Sequence, residues 1–257
     1  MPPVQIVHAR LTELALLAPE VFALVFTLEQ DARLHFLAGQ YARVEFVASN
    51  QERFVREYSI ASTPSMMERN GRLVFHVRAT PGGRFAELLD ARALVVGDVV
   101  RIEGPYGNAH LRQLVDAPML LIAGGTGLGP MLSIAETAIE CGMRQSMRMY
   151  VGMRSERDVY GEATLQELAS RHPGFQYTYV LSEPEGSTSR PVGFVTDFIA
   201  NEFADVTHHR IYLAGPPAMT DAAARLLKAR GAQDAAIHTD AFYAAPGPSE
   251  PGGKLAA

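Results

Sequence analysis

Two stretches of this chain carry residue types and spacings that do chemistry. The first is Leu120-Leu121-Ile122-Ala123-Gly124-Gly125-Thr126-Gly127-Leu128-Gly129-Pro130, an apolar run that breaks into glycines and resumes as a helix-length segment. Glycines let a backbone come close to a pyrophosphate, and the amides and dipole of a helix N-terminus stabilise its charge. Pro130-Met131 stands where a Walker A loop needs Lys-Ser/Thr, and Gly125, Gly127 and Gly129 are spaced by two, so neither that loop nor a strict G-x-G-x-x-G is present. Taken alone, the stretch fits a phosphate cradle or a tight strand-to-helix turn. The second is Phe54-Val55-Arg56-Glu57-Tyr58-Ser59-Ile60-Ala61-Ser62, whose alternation would put Arg56, Tyr58 and Ile60 on one strand face and Ser59 on the other. A guanidinium, a flat ring and a hydroxyl so close together can hold a phosphate, stack on a ring and hydrogen-bond a heteroatom. An edge strand with solvated polar side chains has the same pattern.

Other chemistries are thinly supplied. The single cysteine, Cys141, cannot form an intramolecular disulfide or a cysteine-held zinc or iron–sulfur site, and its place after Ala138-Ile139-Glu140 reads as a small buried side chain. No H-E-x-x-H or G-x-S-x-G occurs and His208-His209 has no ligand spacing around it, so no metal site is expected. Lys+Arg 23 against Asp+Glu 28 leaves a net charge of -5, which argues against nucleic acid or an anionic membrane as partner. No run approaches the roughly 18 apolar residues of a membrane span. Met1-Pro2-Pro3-Val4-Gln5-Ile6 has neither a basic nor an apolar leader region, so the cytoplasm is the expected compartment.

The elements that must position these residues fall into two sets, as expected for 257 residues at about 150 per domain. From Val4 to about Arg112, short runs separated by turn residues (21–28, 41–47, 55–61, 73–78, 98–102) predict an antiparallel barrel or sandwich in which only 83–89 reads as helix. From Pro118, apolar strands (119–123, 147–152, 176–181, 210–214, 236–239) alternate with helical segments (130–141, 161–171, 192–201, 218–230), the pattern of a parallel sheet covered by helices. The expected domains are 1–112, an antiparallel β-barrel, and 113–245, a parallel-sheet α/β unit; 246–257 reads as a disordered tail whose Lys254-Leu255-Ala256-Ala257 ending looks vector-derived.

Taken in order, these segments resemble the ferredoxin–NADP reductase superfamily, in particular the flavin and nicotinamide domains of bacterial oxygenase reductases. Arg56-x-Tyr58-Ser59 is similar to the flavin signature, in which Arg binds the FAD pyrophosphate, Tyr packs on the isoalloxazine and Ser reaches its N5 region. His76-Val77-Arg78, followed by Gly82-Gly83-Arg84-Phe85-Ala86, resembles the second flavin segment; many relatives carry Ser or Thr where Ala86 stands. Gly125, Thr126, Gly127 and Pro130 match the nicotinamide-dinucleotide loop, and Gly215, Pro216 and Met219 match a Cys-Gly-Pro-Pro motif in which Ala214 replaces the cysteine. Asp240-Ala241-Phe242-Tyr243 resembles the terminal acidic-aromatic element beside the flavin.

The resemblance implies hydride transfer from NADH to bound FAD, with Tyr58, Ser59 and Phe242 shaping the reacting site, and single electrons passed to a [2Fe–2S] ferredoxin or an oxygenase component. One cysteine cannot hold that cluster, so it must lie on another chain or on a part removed. NADPH-using relatives commonly place Ser-Arg where Ser182-Glu183 stands here; Glu183 would repel a 2′-phosphate and favours NADH, while Arg154 and Arg157 pull toward NADPH. Two other readings are carried forward: a reductase of diffusible flavin, and a non-catalytic regulatory module that kept the fold.

Overall fold

The computed structural model describes residues 1–29, 32–113 and 116–243; the expected tail at 246–257 lies outside the described residues. Six antiparallel strands, β1 (Gln5–Ala18), β2 (Val21–Leu28), β3 (Tyr41–Val47), β4 (Arg53–Ser59), β5 (Arg72–Arg78) and β6 (Val99–Tyr106), form one sheet in the order β4-β3-β6-β1-β2-β5. The two edge strands meet at an Ile60–Phe75 bridge, so the sheet curls round an interior of Leu24, Phe26, Phe46, Phe75 and Ile102. Alternation along β3 and β5 produces this inner face, as the period of a strand requires. In β1 the pairing shifts between Leu11 and Glu13, which moves the inward set onto the other parity. That shift explains why its 14 residues give no single period in the sequence.

One expectation needs correcting. A second helix, α1 (Pro64–Asn70), follows β4, where the sequence pattern gave only one helical segment in this half. The Thr63 hydroxyl accepts the Met66 N–H at 3.1 Å, Pro64 opens the first turn and Gly71 closes the last in the left-handed region. The capping signals were legible, but seven residues around a single buried anchor, Met67, give no periodic stripe. The expected helix, α2 (Arg84–Asp90), buries Phe85 and Leu88.

The second half is a parallel sheet, β7 (Met119–Gly124), β8 (Met147–Met153), β9 (Phe175–Leu181), β10 (Arg210–Gly215) and β11 (Ile237–Ala241), in the order β11-β10-β7-β8-β9. Helices α3 (Leu128–Glu140) and α4 (Glu162–Arg171) cover one face, packing on Leu121 and Met149; α5 (Val195–Glu202) and α6 (Pro217–Ala229) cover the other, packing on Ile122 and Leu213. The chain winds outward from β7 to β9 and returns to β10 on the other side of β7. Such a reversal leaves a crevice at the carboxyl ends of the strands, where ligands bind in sheets of this kind. Cys141 is exposed, not buried as expected: it lies past the last residue of α3, beyond the apolar stripe that ends at Ala138.

Polar contacts in the junction tie the halves together. The buried Ser133 hydroxyl donates to the Ser62 carbonyl at 2.7 Å, and His76 meets the Tyr160 ring edge-on with centroids 5.4 Å apart. No described helix is long and apolar enough to cross a membrane.

Candidate active site at the junction of the two sheets

Two crevices share an edge where the sheets meet. One, of about 480 Å³, lies between β4, β5 and the end of β11; the other, of about 520 Å³, runs over the carboxyl ends of β7, β8 and β9. Arg78, Thr80, Thr126 and Phe242 line both.

Strand β4 places Arg56 and Tyr58 on one face and Ser59 on the other, as alternation predicts, and of the three Tyr58 and Ser59 line the first crevice. Tyr58 packs against Phe46, Phe75 and Phe85 at 6.2 to 6.4 Å between centroids, so its ring is fixed from behind, and burial pushes its hydroxyl pKa well up. Ser59 donates a 2.5 Å hydrogen bond to Asp240 Oδ2. Burial raises the Asp240 pKa against the pull of that hydrogen bond. His76, Val77 and Arg78 line the same crevice from β5, and burial pushes the His76 pKa down to about 4, which leaves the ring neutral. Arg78 lies 3.8 Å from Glu20 on the β1–β2 turn.

The remaining residues singled out on this side divide. Arg56 makes no ion pair among the described residues; its guanidinium lies 5.2 Å from the Phe54 ring centroid and donates to the Val55 carbonyl. Arg84 is engaged, paired with Glu52 at 3.1 Å and lying 4.6 Å from the same Phe54 ring centroid. Phe85 is 4% exposed and its ring belongs to the core beneath Tyr58. Gly82 is exposed and Gly83 half-buried at the turn ahead of α2, and none of Arg56, Gly82, Gly83, Arg84 and Phe85 lines the crevice.

The second crevice has a backbone floor. Gly125, Thr126, Pro216 and Met219 line it, while Gly127, Pro130 and Gly215 are buried just beneath. A Cβ on Gly127 would stand 2.1 Å from the Ala214 carbonyl oxygen, and one on Gly129 would stand 3.2 Å from His76 Nδ1. The spacing by two, unexplained in the sequence, is therefore set by packing on β10 and on the first sheet. Ala214 is fully buried in the core under this loop, at the position the sequence reading associated with a cysteine. Arg154 and Ser182 line the crevice; Glu183 does not, and instead faces a neighbouring polar pocket of about 300 Å³ with Arg154 and Arg157. Arg157 pairs with Glu185 at 3.3 Å.

Sequence reasoning missed Tyr41, Thr80 and Tyr160, which help shape the junction, and read Phe194 as part of a helix. Phe194 instead caps α5, its N–H held by Asp197 Oδ2 at 3.1 Å. An acid three residues on was the available signal.

Comparison with known proteins gives the same division. Residues 8–111 match the Oxidoreductase FAD-binding domain family and residues 121–225 the Oxidoreductase NAD-binding domain family. The ferredoxin–NAD(P)(+) reductase component of the naphthalene 1,2-dioxygenase/salicylate 5-hydroxylase systems of a Ralstonia species is 41% identical over 210 residues, covering 82% of this chain and 61% of the relative. The reductase component of propane 2-monooxygenase from Gordonia is 31% identical over 94% of this chain and 68% of its own length. The crystal structure of Amycolatopsis cytochrome P450 reductase GcoB aligns with a TM-score of 0.83 at 33% identity, over 93% of this chain and 70% of that one. The chain belongs to this family of FAD- and NAD-binding oxidoreductases, similar to the reductase components of multicomponent oxygenases. It spans about three fifths of the length of the naphthalene dioxygenase reductases it matches.

Proposed function

We propose that this chain takes a hydride from NADH onto FAD and hands electrons singly to a [2Fe–2S] ferredoxin or an oxygenase component. The observation that carries the reading is the shared edge: crevices in two domains of FAD- and NAD-binding families meet at Arg78, Thr80, Thr126 and Phe242. The first crevice fits a flavin, because it offers a flat ring fixed from behind, a hydroxyl aimed at a carboxyl and, beside it, a guanidinium without an acidic partner among the described residues. Bound there, FAD supplies a two-electron acceptor that can release electrons one at a time.

The chain's own residues then position and insulate. Arg56 and the Gly82-Gly83 backbone hold the pyrophosphate, Tyr58 backs the ring system and Ser59, tied to Asp240, holds a hydroxyl at the reacting edge. Phe242 closes the same edge from β11, and Thr126 with Gly125 and Gly127 sets the nicotinamide end of the groove. Positioning of this kind accounts for most of the rate gain in a direct hydride transfer, which needs no protein nucleophile. Ala214 in place of a cysteine is therefore compatible with turnover. The join between the domains is placed at Arg112–Gln113, NADH is the preferred donor over NADPH, the cytoplasm is the setting, and the acceptor docks near Tyr58, Ser59 and the 240–243 segment.

A visible spectrum and a ferricyanide assay test the proposal. The purified protein should be yellow, oxidise NADH with ferricyanide, and reduce cytochrome c fast only when a [2Fe–2S] ferredoxin is added. A colourless protein that turns over free riboflavin rapidly without ferredoxin would overturn it. That outcome would install the diffusible-flavin reading, which Ala86 favours because it offers no hydroxyl to a retained cofactor.

A further inference from the structure

The glycine loop after β7 belongs to the parallel sheet, yet part of its setting comes from the antiparallel one. At its far end a Cβ on Gly129 would stand 3.1 Å from the Ala61 Cβ and 3.2 Å from His76 Nδ1, so α3 opens directly against β5 and the residue pair after β4. At its near end Arg78, two residues along β5, would have its Nη2 3.9 Å from a Cβ on Gly125. Tyr160, from the turn ahead of α4, joins the two sides. Its ring is 6% exposed, its carbonyl accepts the Tyr179 hydroxyl at 2.6 Å, and the next residue, Gly161, is closed in by Leu128. The backbone of Tyr160 is thus fixed by β9 and α3, and its hydroxyl lies 3.3 Å from His76 Nδ1 and 3.4 Å from the Gly125 carbonyl oxygen.

A buried hydroxyl costs free energy unless it is bonded, and a phenylalanine would fill the same space without that cost. What the hydroxyl reaches is therefore informative. It has one proton for two neighbours, both at distances long for an O–H bond. The neutral His76 ring carries a proton on one nitrogen; with that proton on Nδ1, a single chain runs from His76 through the Tyr160 hydroxyl to the Gly125 carbonyl. The chain starts on a side chain lining the first crevice and ends on backbone lining the second. Resting on the hydride reading above, we propose that Tyr160 is a positioning residue for hydride transfer, its hydroxyl holding the dinucleotide loop in register with the flavin crevice. Reacting atoms must approach to about 3 to 3.5 Å, and a 1 Å misplacement can cost about a hundredfold in rate. A tie of this kind is felt in the rate of transfer and not in the affinity for either cofactor.

The test compares Tyr160→Phe with the wild type, both loaded with FAD. The ring stays and the hydroxyl goes. In anaerobic stopped-flow with NADH, the limiting rate of flavin bleaching should fall about fivefold, the scale of one modest hydrogen bond, while the half-saturating NADH concentration and FAD retention stay at their wild-type values. Equal limiting rates, or a higher NADH requirement at an unchanged limiting rate, would overturn the proposal. His76→Leu removes the other end of the chain, so adding Tyr160→Phe to it should slow bleaching no further. A further fivefold loss in the double variant would show that the hydroxyl acts without His76 and would overturn the chain. Amide hydrogen exchange with no donor present needs no turnover and separates this proposal from the hydride reading. Residues 125–129 should exchange about fivefold faster in Tyr160→Phe, and equal exchange would overturn the tie. A wild-type flavin left oxidised by NADH would overturn the hydride reading, and the exchange result alone would then decide whether the tie exists.

Discussion

The two crevices are built by opposite means. On the antiparallel sheet the site is made of side chains, with Tyr58 set on a base of aromatic rings and Ser59 bonded to Asp240. On the parallel sheet it is made of backbone, and the loop after β7 has so little clearance that an added methyl at Gly127 would collide with the Ala214 carbonyl. A side-chain site can be tuned by charge and by pH. A backbone site tolerates almost no added atom, and its side chains act only at the rim.

The largest expected effect probes that contrast at its backbone end. Gly127→Ala should cost about 3 kcal/mol or more, because the obstructing atom is main chain; scanning calorimetry should show a melting temperature lower by roughly 10 °C. An unchanged melting temperature would show that the loop can shift and that the contrast is too sharply drawn. On the side-chain side, Arg56→Ala should lose a charge-assisted contact worth roughly 2 to 3 kcal/mol, or up to about a hundredfold in FAD affinity. Flavin retained on dialysis as in wild type would remove Arg56 from the site.

The third prediction uses acid. His76 and His238 both have pKa values pushed down to about 4 by burial, so the unfolded chain takes up their protons first as the pH falls. Their contribution is complete above pH 6.5 and lost as the pH falls toward 4, by roughly 3 kcal/mol for His76. Asp240 opposes this, since its raised pKa makes ionisation costly in the folded protein and acid relieves that cost. Denaturant titrations from pH 7 to 4 should show a slope that His76→Asn reduces; an equal slope in both proteins would mean that the ring is open to water. The smallest effect lies at the rim. Glu183→Arg should move the NADH to NADPH ratio of kcat/KM toward NADPH by about threefold, well under 1 kcal/mol of exposed charge. If the ratio responds only to Arg154→Ala, Arg154, which lines the groove, is the residue that reads the ribose.

Legibility in the sequence followed the same divide. The strands of the parallel sheet were readable because burial on both faces leaves continuous apolar runs, as in Leu120–Ala123. The glycines after β7 were readable as a turn, yet their spacing was not, since it depends on the Ala214 carbonyl and on His76, both distant in sequence. Arg56, Tyr58 and Ser59 could be assigned to faces by parity alone. Their aromatic backing, the engagement of Arg84 with Glu52 and the turning of Glu183 away from the groove are tertiary facts with no local signature. The same is true of β1, whose period changes where its partner shifts register.

The hydrogen bond between Ser59 and Asp240 joins residues 181 positions apart. Synthesis runs from the N-terminus, so the first sheet emerges whole while Asp240 and Phe242 are still unmade. An isoalloxazine bound at that stage would meet Tyr58 with its reacting edge open to water and oxygen. The pocket proposed to receive the hydride is therefore among the last parts of the molecule to be completed. A protein truncated before β11 should still fold its first sheet, yet lack the wall that separates productive reduction from leakage to oxygen.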